Sequence, residues 1–437
     1  MLGGHAQWPS SKSPLMVEVV PAMGEGHERG GRDVRLSRRQ FIKIAALGGG
    51  ALMVPRLLHY GAWAWAQAKP IRVGCTLPLT GPFADTGVWV ERGYRYWAER
   101  TNQLGGLLGR PVELIVLDDA SSADRAVSLL ERLITVDRVD LILGGYPGTA
   151  AAAQMAVAER YRKVYISMGG HMASFQRGFK YSFGGPPLMG QWWYEGAWRW
   201  LANIPREQRP TRAAAITVNN PVGMAVRESM LDGLKRLGIP LVMDELYDLP
   251  LASAEPLVSR ARALGADMFL ANGFFPDGVL TIRAMKALDY NPKVILQGVG
   301  SLIPEWVTQL GPDGDYVVSG TAIHPKLPFP GIAELNKVAR ERWNLKWAPQ
   351  YFLFGYAWAQ LLQQAVEGAK SLNHAVLVRY MRQTTFKTIA GELRFDERGL
   401  PPPYEYATQV IKGESELIWP PGRRSAQPVY PKPPWRR

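Results

Sequence analysis

The chain has 437 residues, too many for one ordinary hydrophobic core, so two domains are the starting expectation. Its 47% hydrophobic and 20% charged residues exclude wholesale disorder. The formal net charge is +13, but the basic residues form no run of five or six like charges, which fits a solvated surface rather than a nucleic-acid-binding stripe.

The first segment reads as an export signal. Residues 1–68 carry eight Lys and Arg against four acids. Residues 1–34 resemble an unstructured extension, with Met16 and Met23 as alternative starts. Ser37-Arg38-Arg39-Gln40-Phe41-Ile42-Lys43 then matches the twin-arginine export pattern. The weakly apolar stretch from Ile44 to Pro55 is too short to span a bilayer, and Arg56 interrupts it. Ala66-Gln67-Ala68 suits signal peptidase, with cleavage after Ala68. A soluble, periplasmic mature protein is the expectation.

After Lys69, short apolar runs alternate with longer periodic ones. Strands are expected at Ile71–Leu77, Val112–Asp118, Asp140–Gly144 and Val164–Ser167. Helices are expected between them, at Val88–Gln103, Ala123–Val136 and Thr149–Tyr161. That order argues for parallel βαβ units in a doubly wound sheet. The pattern restarts with strands at Arg212–Val218, Leu241–Tyr247, Asp267–Ala271 and Lys293–Gln297. Helices at Val222–Leu237, Pro256–Leu264 and Pro276–Leu288 lie between these. The breaker-rich run His324–Pro330 precedes helices near Ile332–Trp343, Tyr351–Gly368 and Asn373–Arg382, then short strands around Glu392–Phe395 and Tyr404–Ile411. A Pro/Arg-rich tail, Trp419–Arg437, is expected to lie extended over the surface.

In open parallel sheets, ligands sit beyond the carboxyl ends of the strands, near helix N-termini. Three loops of the first half fit: Thr80–Gly87, Gly144–Thr149 and Ser167–His171. On composition alone, ordinary βα turns account for them better. Enzyme motifs are missing: there is no Gly-x-Ser-x-Gly elbow, His-Glu-x-x-His, P-loop or Gly-x-Gly-x-x-Gly after a strand. The mature chain's three histidines, His171, His324 and His374, are far apart, and its one cysteine, Cys75, reads as a small buried hydrophobe. No metal or other cofactor is expected. Asp118-Asp119 reads as a strand-end cap or a surface pair rather than an acid pair, since adjacent strand residues face opposite ways.

At these loops the chain resembles the type I periplasmic solute-binding proteins of the branched-chain amino acid (Leu/Ile/Val-binding) kind. The resemblance rests on Ile71-Arg72-Val73-Gly74 with Leu79–Gly87, on Asn102–Leu114, and on Thr384–Gly399. It implies an α/β fold of two Rossmann-like lobes with parallel sheets, joined by a three-strand hinge with crossings near residues 190, 321 and 393. Lobe 1 would comprise 69–190 plus 322–393, lobe 2 would comprise 191–321 plus 394–419, and 420–437 would form the tail. It implies a monomer that closes over a small-molecule solute and delivers it to the permease and ATPase subunits of an ABC importer.

The resemblance also implies where the solute sits. In the first lobe the contacts fall on Thr86, Trp89 and Tyr146, on Gly148 or Thr149 (the register is open by one), and on Gly169, Gly170 and His171. In the second they fall on Phe274, Phe275 and Gln297. Val222 stands where the amino-acid binders use Tyr, and Val299 where they place the acid that holds the ligand ammonium. A buried ammonium without a counter-charge is costly, so a carboxylate, amide or aromatic acid is expected before a branched-chain amino acid. A ligand-sensing receptor module of the same fold, a branched-chain amino acid binder and an enzyme on a similar fold are the competing readings.

Overall fold

The computed structural model describes residues 69–169, 172–188 and 192–436. The twin-arginine pattern, Ala68, Gly170 and His171 therefore lie outside the described residues. In chain order come β1 (Ile71–Leu77), α1 (Ala84–Gln103), β2 (Val112–Asp118), α2 (Ala123–Thr135), β3 (Leu141–Leu143), α3 (Gly148–Arg160), β4 (Tyr165–Gly169), α4 (Met172–Phe175) and β5 (Ser182–Leu188). The five strands form one parallel sheet in the order β2-β1-β3-β4-β5. β1 and β2 pair in register from Ile71 with Val112 to Leu77 with Asp118.

The second run contains α5 (Glu195–Ala202), β6 (Ala213–Val218), α6 (Pro221–Leu237), β7 (Leu241–Tyr247), α7 (Glu255–Ala263), β8 (Met268–Asn272), α8 (Phe275–Ala287), β9 (Val294–Gln297), α9 (Pro304–Leu310) and β10 (Val317–Thr321). The chain then returns to the first sheet with α10 (Ile332–Trp343), α11 (Gln350–Ala369), α12 (His374–Gln383) and the hairpin β11 (Thr385–Thr388) and β12 (Gly391–Arg394). α11 packs on α1, β4 and β5. Finally β13 (Tyr406–Ile411) and β14 (Glu414–Trp419) join the second sheet, whose order is β14-β13-β10-β9-β8-β6-β7. Its last two strands run antiparallel, so the second sheet is mixed where parallel pairing alone was expected. The α/β architecture of two parallel-sheet lobes is otherwise the one read from the sequence.

Local chemistry explains the element boundaries. Asn220 caps α6 by accepting the Gly223 N–H at 2.9 Å, and Pro221 occupies the first turn, where its missing N–H costs nothing. β5, which the sequence reading omitted, runs Ser-Phe-Gly-Gly-Pro-Pro-Leu. Two prolines are tolerable because β5 is the edge strand of its sheet. The free carbonyl of Pro186 accepts the Trp358 indole N–H at 2.6 Å. β10 and β14 were also unread: the first is a five-residue run holding Ser and Gly, and the second alternates too weakly to signal a buried face.

The chain crosses between sheets after Leu188, after Thr321, and between Leu400 and Tyr406. The chain beside the first crossing touches the chain beside each of the other two, backbone to backbone. A Cβ on Gly320 would lie 1.7 Å from the Trp193 carbonyl oxygen, and one on Gly196 would lie 2.4 Å from the Tyr406 carbonyl carbon. The C-terminal tail runs extended, as expected, but it is pinned. Val429 exchanges two hydrogen bonds with the Gln409 side chain (2.8 and 2.9 Å), and the Tyr430 hydroxyl donates to the Gln208 carbonyl (2.6 Å). Lys432 N–H donates to the Lys293 carbonyl (2.8 Å), and the Trp435 indole donates to the Tyr290 carbonyl (2.9 Å). Gln208, Tyr290 and Lys293 all precede strands of the second sheet, so most anchors lie at the amino ends of its parallel strands.

Candidate functional site

The carboxyl ends of β1, β3 and β4 in one lobe and of β6, β8 and β9 in the other carry loops that meet. The rings of Phe83 and Phe274 lie 4.6 Å apart, centroid to centroid. The Trp89 indole N–H donates to both carboxylate oxygens of Glu305 at 3.1 Å. Phe83 and Trp89 belong to the first lobe, Phe274 and Glu305 to the second.

The loop after β1 is held by Asp118 at the end of β2. Its carboxylate accepts the Leu79 and Thr80 N–H groups (3.0 and 3.2 Å), the Thr80 hydroxyl (2.7 Å) and the Ala120 N–H (2.8 Å). Those donors hold its pKa below the usual carboxylate range despite desolvation. The neighbouring Asp119 points inward, as strand alternation requires, and accepts the Ser121 N–H (3.0 Å) and Thr76 hydroxyl (3.3 Å). Burial pushes its pKa up to about 6. The pair thus anchors the loop, which sets the buried Thr86 and Trp89 on the first turns of α1.

The loop after β3 is braced by a buried polar chain. The Gly145 N–H donates to the Tyr165 hydroxyl (2.9 Å), which donates to Gln154 Oε1 (2.6 Å), and Gln154 Nε2 donates to the Thr76 hydroxyl (2.7 Å). The Tyr94 hydroxyl donates to the Gly144 carbonyl at 2.8 Å. With the backbone of Gly144 and Gly145 committed to protein partners, the Tyr146 side chain and the start of α3 are what remain to present. The Tyr146 ring meets the Tyr351 ring edge-on, with centroids 5.4 Å apart and planes at 78°. Both hydroxyls are enclosed, and neither has a hydrogen-bond partner. Burial raises both phenol pKa values. Thr86, Tyr351 and, from the second lobe, Asp277 are close enough to bias the ionisation of Tyr146. Gly148 begins α3 and Thr149, half-buried, is its second residue. Gly169 ends β4.

In the second lobe, Asp277 accepts the Phe274 N–H (2.8 Å) and the Tyr247 hydroxyl (2.7 Å) on one oxygen, capping α8. Burial raises the Asp277 pKa while these donors oppose the shift. Its charge is thereby absorbed by the fold. Gln297 is wholly buried; its Nε2 donates to the Phe274 carbonyl (3.2 Å) and its Oε1 accepts the Ser301 N–H (3.1 Å). It braces the two loops from beneath, while Phe274 and the buried Phe275 start α8. Val222, Gly273, Phe274 and Val299 border a recess of about 10 Å³, room for one water.

The structure thus brings Thr86, Tyr146, Trp89 and Phe274 to the junction of the lobes and places Gln297 under it. Sequence reasoning missed Phe83, Tyr247, Asp277, Glu305 and Tyr351. Phe83 lay inside a flagged loop, and Asp277 sits three residues after its cap. Tyr351 and Glu305 carried no local signal, being an aromatic at the start of an apolar helix and an acid in a first turn. Among the described residues no group of His, Cys, Asp and Glu is placed to hold a metal ion, and no helix is long and apolar enough to cross a membrane.

Comparison with known proteins agrees with this geometry. The Leu/Ile/Val-binding protein homolog 1 of Brucella suis biovar 1 (strain 1330) is 24% identical over 362 residues, 79% of this chain and 90% of that protein. The solved leucine binding protein LivK of Thermotoga maritima MSB8 superposes with a TM-score of 0.71 at 20% identity, covering 79% of this chain and 97% of that one. An ABC transporter solute binding protein from R. palustris, solved in complex with benzoate, gives a TM-score of 0.71 at 18% identity, covering 83% of this chain and 98% of that one. The family profile described as periplasmic binding protein matches residues 70–414, from the first strand to the last hairpin. By that match, which takes in both sheets and every crossing between them, the chain belongs to the periplasmic binding protein family.

Proposed function

We propose that the chain is the extracytoplasmic solute-binding component of an ABC import system. It captures a small organic solute by closing its lobes, 69–190 plus 322–400 against 191–321 plus 406–419, and presents the closed form to a membrane permease and its ATPase; the third crossing lies beyond Leu400 rather than near residue 393 because Gly399 and Leu400 still pack on the first sheet. The observation that carries this reading is the meeting of two sets of strand carboxyl ends, bridged by Phe83–Phe274 and Trp89–Glu305, with the sheets otherwise joined by three crossings. Such lobes move as rigid bodies, and closure between them excludes water from the solute.

The solute is a carboxylate, an amide or an aromatic acid before it is a branched-chain amino acid. Val299 offers no counter-charge for an ammonium group, and Asp277 is already held by its own donors. A thermal-shift and calorimetric panel of leucine, isoleucine and valine against aliphatic and aromatic acids and their amides tests this. Stabilisation by an acid or amide without turnover is the expected result; micromolar binding of leucine refutes the solute class, and product formation refutes the binding role.

The Ser37–Lys43 pattern and Ala68 support export by the twin-arginine route with cleavage after Ala68. Arg38→Lys with Arg39→Lys should retain the protein in the cytoplasm, and the exported form should begin at Lys69 by mass spectrometry.

A further inference from the structure

We propose that Tyr146 and Tyr351 form a paired-hydroxyl seat for the oxyanion of the solute, so that the natural solute is a carboxylate joined to an apolar, ring-like body. The proposal rests on the solute-binding reading above and names the chemistry of the same site.

Buried hydroxyls are almost always hydrogen-bonded, and an unsatisfied one is costly. Here two phenols from distant parts of the chain, one on the loop after β3 and one on the first turn of α11, meet edge to edge at the lobe junction. Neither hydroxyl has a partner. Each is near enough to the other to bias its ionisation, so the two O–H groups converge on one neighbourhood. The two hydroxyls, with that of Thr86 beside Tyr146, lie close together without a well-formed hydrogen bond to either phenol, and an acceptor from outside the protein would give both O–H groups the partner they lack.

Its charge follows from the surroundings. α3 starts two residues after Tyr146, and the unpaired N–H groups of a helix start favour negative charge. Arg92 lies over the Trp89 ring at 4.2 Å, and among the described residues no lysine or arginine lies over the Tyr146 or Tyr351 ring. Recognition therefore falls to neutral donors, as suits a group with several acceptor lone pairs such as a carboxylate. Elsewhere the junction is largely apolar, with Phe83 and Phe274 in ring contact and Val222 and Val299 beside Phe274; the Asp277 carboxyl, which is also close to Tyr146, is already held by the Tyr247 hydroxyl and the Phe274 N–H. An aromatic or alicyclic body fits that apolar surface, and a second charged end does not.

The test is isothermal titration of the full mature chain and of Tyr146→Phe, Tyr351→Phe and the double variant. The probes are benzoate, cyclohexanecarboxylate, benzamide and benzylamine, with melting temperatures recorded for each solute-free protein. The expected result is carboxylate binding by the parent chain, weakened about tenfold in each single variant. The double variant should lose less than the product of the two, because both hydroxyls serve one oxygen. The melting temperature should hold or rise, since each substitution removes a buried hydroxyl without a partner. A hydroxyl with a merely structural role would lower the melting temperature instead. Unchanged benzoate affinity in both single variants, or tighter binding of benzylamine than of benzoate by the parent chain, overturns the seat while leaving the solute-binding reading intact. A parent chain that binds none of the four probes, nor any member of the wider acid, amide and amino acid panel, refutes the solute-binding reading and this inference with it.

Discussion

The bond from Trp89 to Glu305 joins side chains on opposite lobes and is made only when the lobes are together. Replacing Trp89 by Phe keeps a ring against Trp343, which the indole meets edge-on at 5.2 Å, but removes the donor. Hydrogen bonds to charged groups contribute about 1.5–3 kcal/mol. Glu305 is only half-buried, so the lower end applies, and the open form should gain about tenfold over the closed one. Glu305→Gln keeps an acceptor and should shift the balance less. Burial raises the Glu305 pKa, helped by Asp85 and opposed by the Trp89 bond and Arg92. Closing therefore takes up protons: the closed form is favoured at low pH, and its share falls as pH rises from the ordinary glutamate value through the raised one. Glu305→Gln should abolish that dependence. Spin labels on cysteines introduced at the exposed Ser128 and Lys235, one per lobe, report the inter-lobe distance, and the buried Cys75 stays unlabelled. Identical distance distributions in the parent chain and Trp89→Phe, at pH 5 and pH 8, would show that the bond does not govern closure and would refute this reasoning.

Acid should destabilise the fold through two histidines that burial keeps neutral, His374 with a pKa lowered to about 4 and His324 to about 3. His374 Nδ1 accepts the Val164 N–H at 3.0 Å, which a protonated ring cannot do. Both folded values lie below the unfolded one, so stability is lost as pH falls below about 6.5, by about 2 kcal/mol per histidine at pH 5. Urea denaturation at pH 7 and pH 5 should show a smaller acid loss for His374→Gln than for the parent chain. Ending the chain at Ala426 removes the pinned tail and should lower the melting temperature by several degrees, at about 1 kcal/mol for each lost hydrogen bond, offset in part by freed chain entropy. Solute affinity should not change, because the tail lies away from the lobe junction; a changed dissociation constant in calorimetry would contradict that placement. Tyr165→Phe removes the hub that takes the Gly145 N–H and donates to Gln154, so it should weaken solute binding and lower the melting temperature together, unlike Tyr146→Phe.

Much of the architecture could be read from the chain because strands such as Leu141–Leu143 and Ala213–Val218 are short, almost wholly apolar runs between periodic helices. β5 could not, because its Gly and Pro residues are permitted only by its place at the sheet edge, which is a tertiary fact. The first-lobe loops were legible for a similar reason: tight βα turns need Gly and Pro at fixed places. The groups that meet at the lobe junction were not. Trp89 and Glu305 stand 216 residues apart, and nothing local distinguishes Glu305 from any acid in a first helical turn. Gln297 shows the reverse error: it lies at a strand end where a ligand contact is expected, yet its amide is held at both ends by the loops it supports.

The two glycines at the crossings bear on how the lobes move. Gly320 lies against the backbone at Trp193, and Gly196 lies against the backbone at Tyr406. With no side chain to act as a spacer, β10 lies directly on the segment entering α5, and the first turn of α5 lies directly on the start of β13, like the leaves of a bound spine. One cannot bend or slide without carrying its neighbours. A side chain at either glycine would have to push these backbones apart, so Gly320→Ala and Gly196→Ala should each disturb the seating of one lobe on the other. The crossings thus tie the two lobes through main chain rather than through exchangeable side chains, and the residues that meet at the lobe junction inherit that fixed spacing.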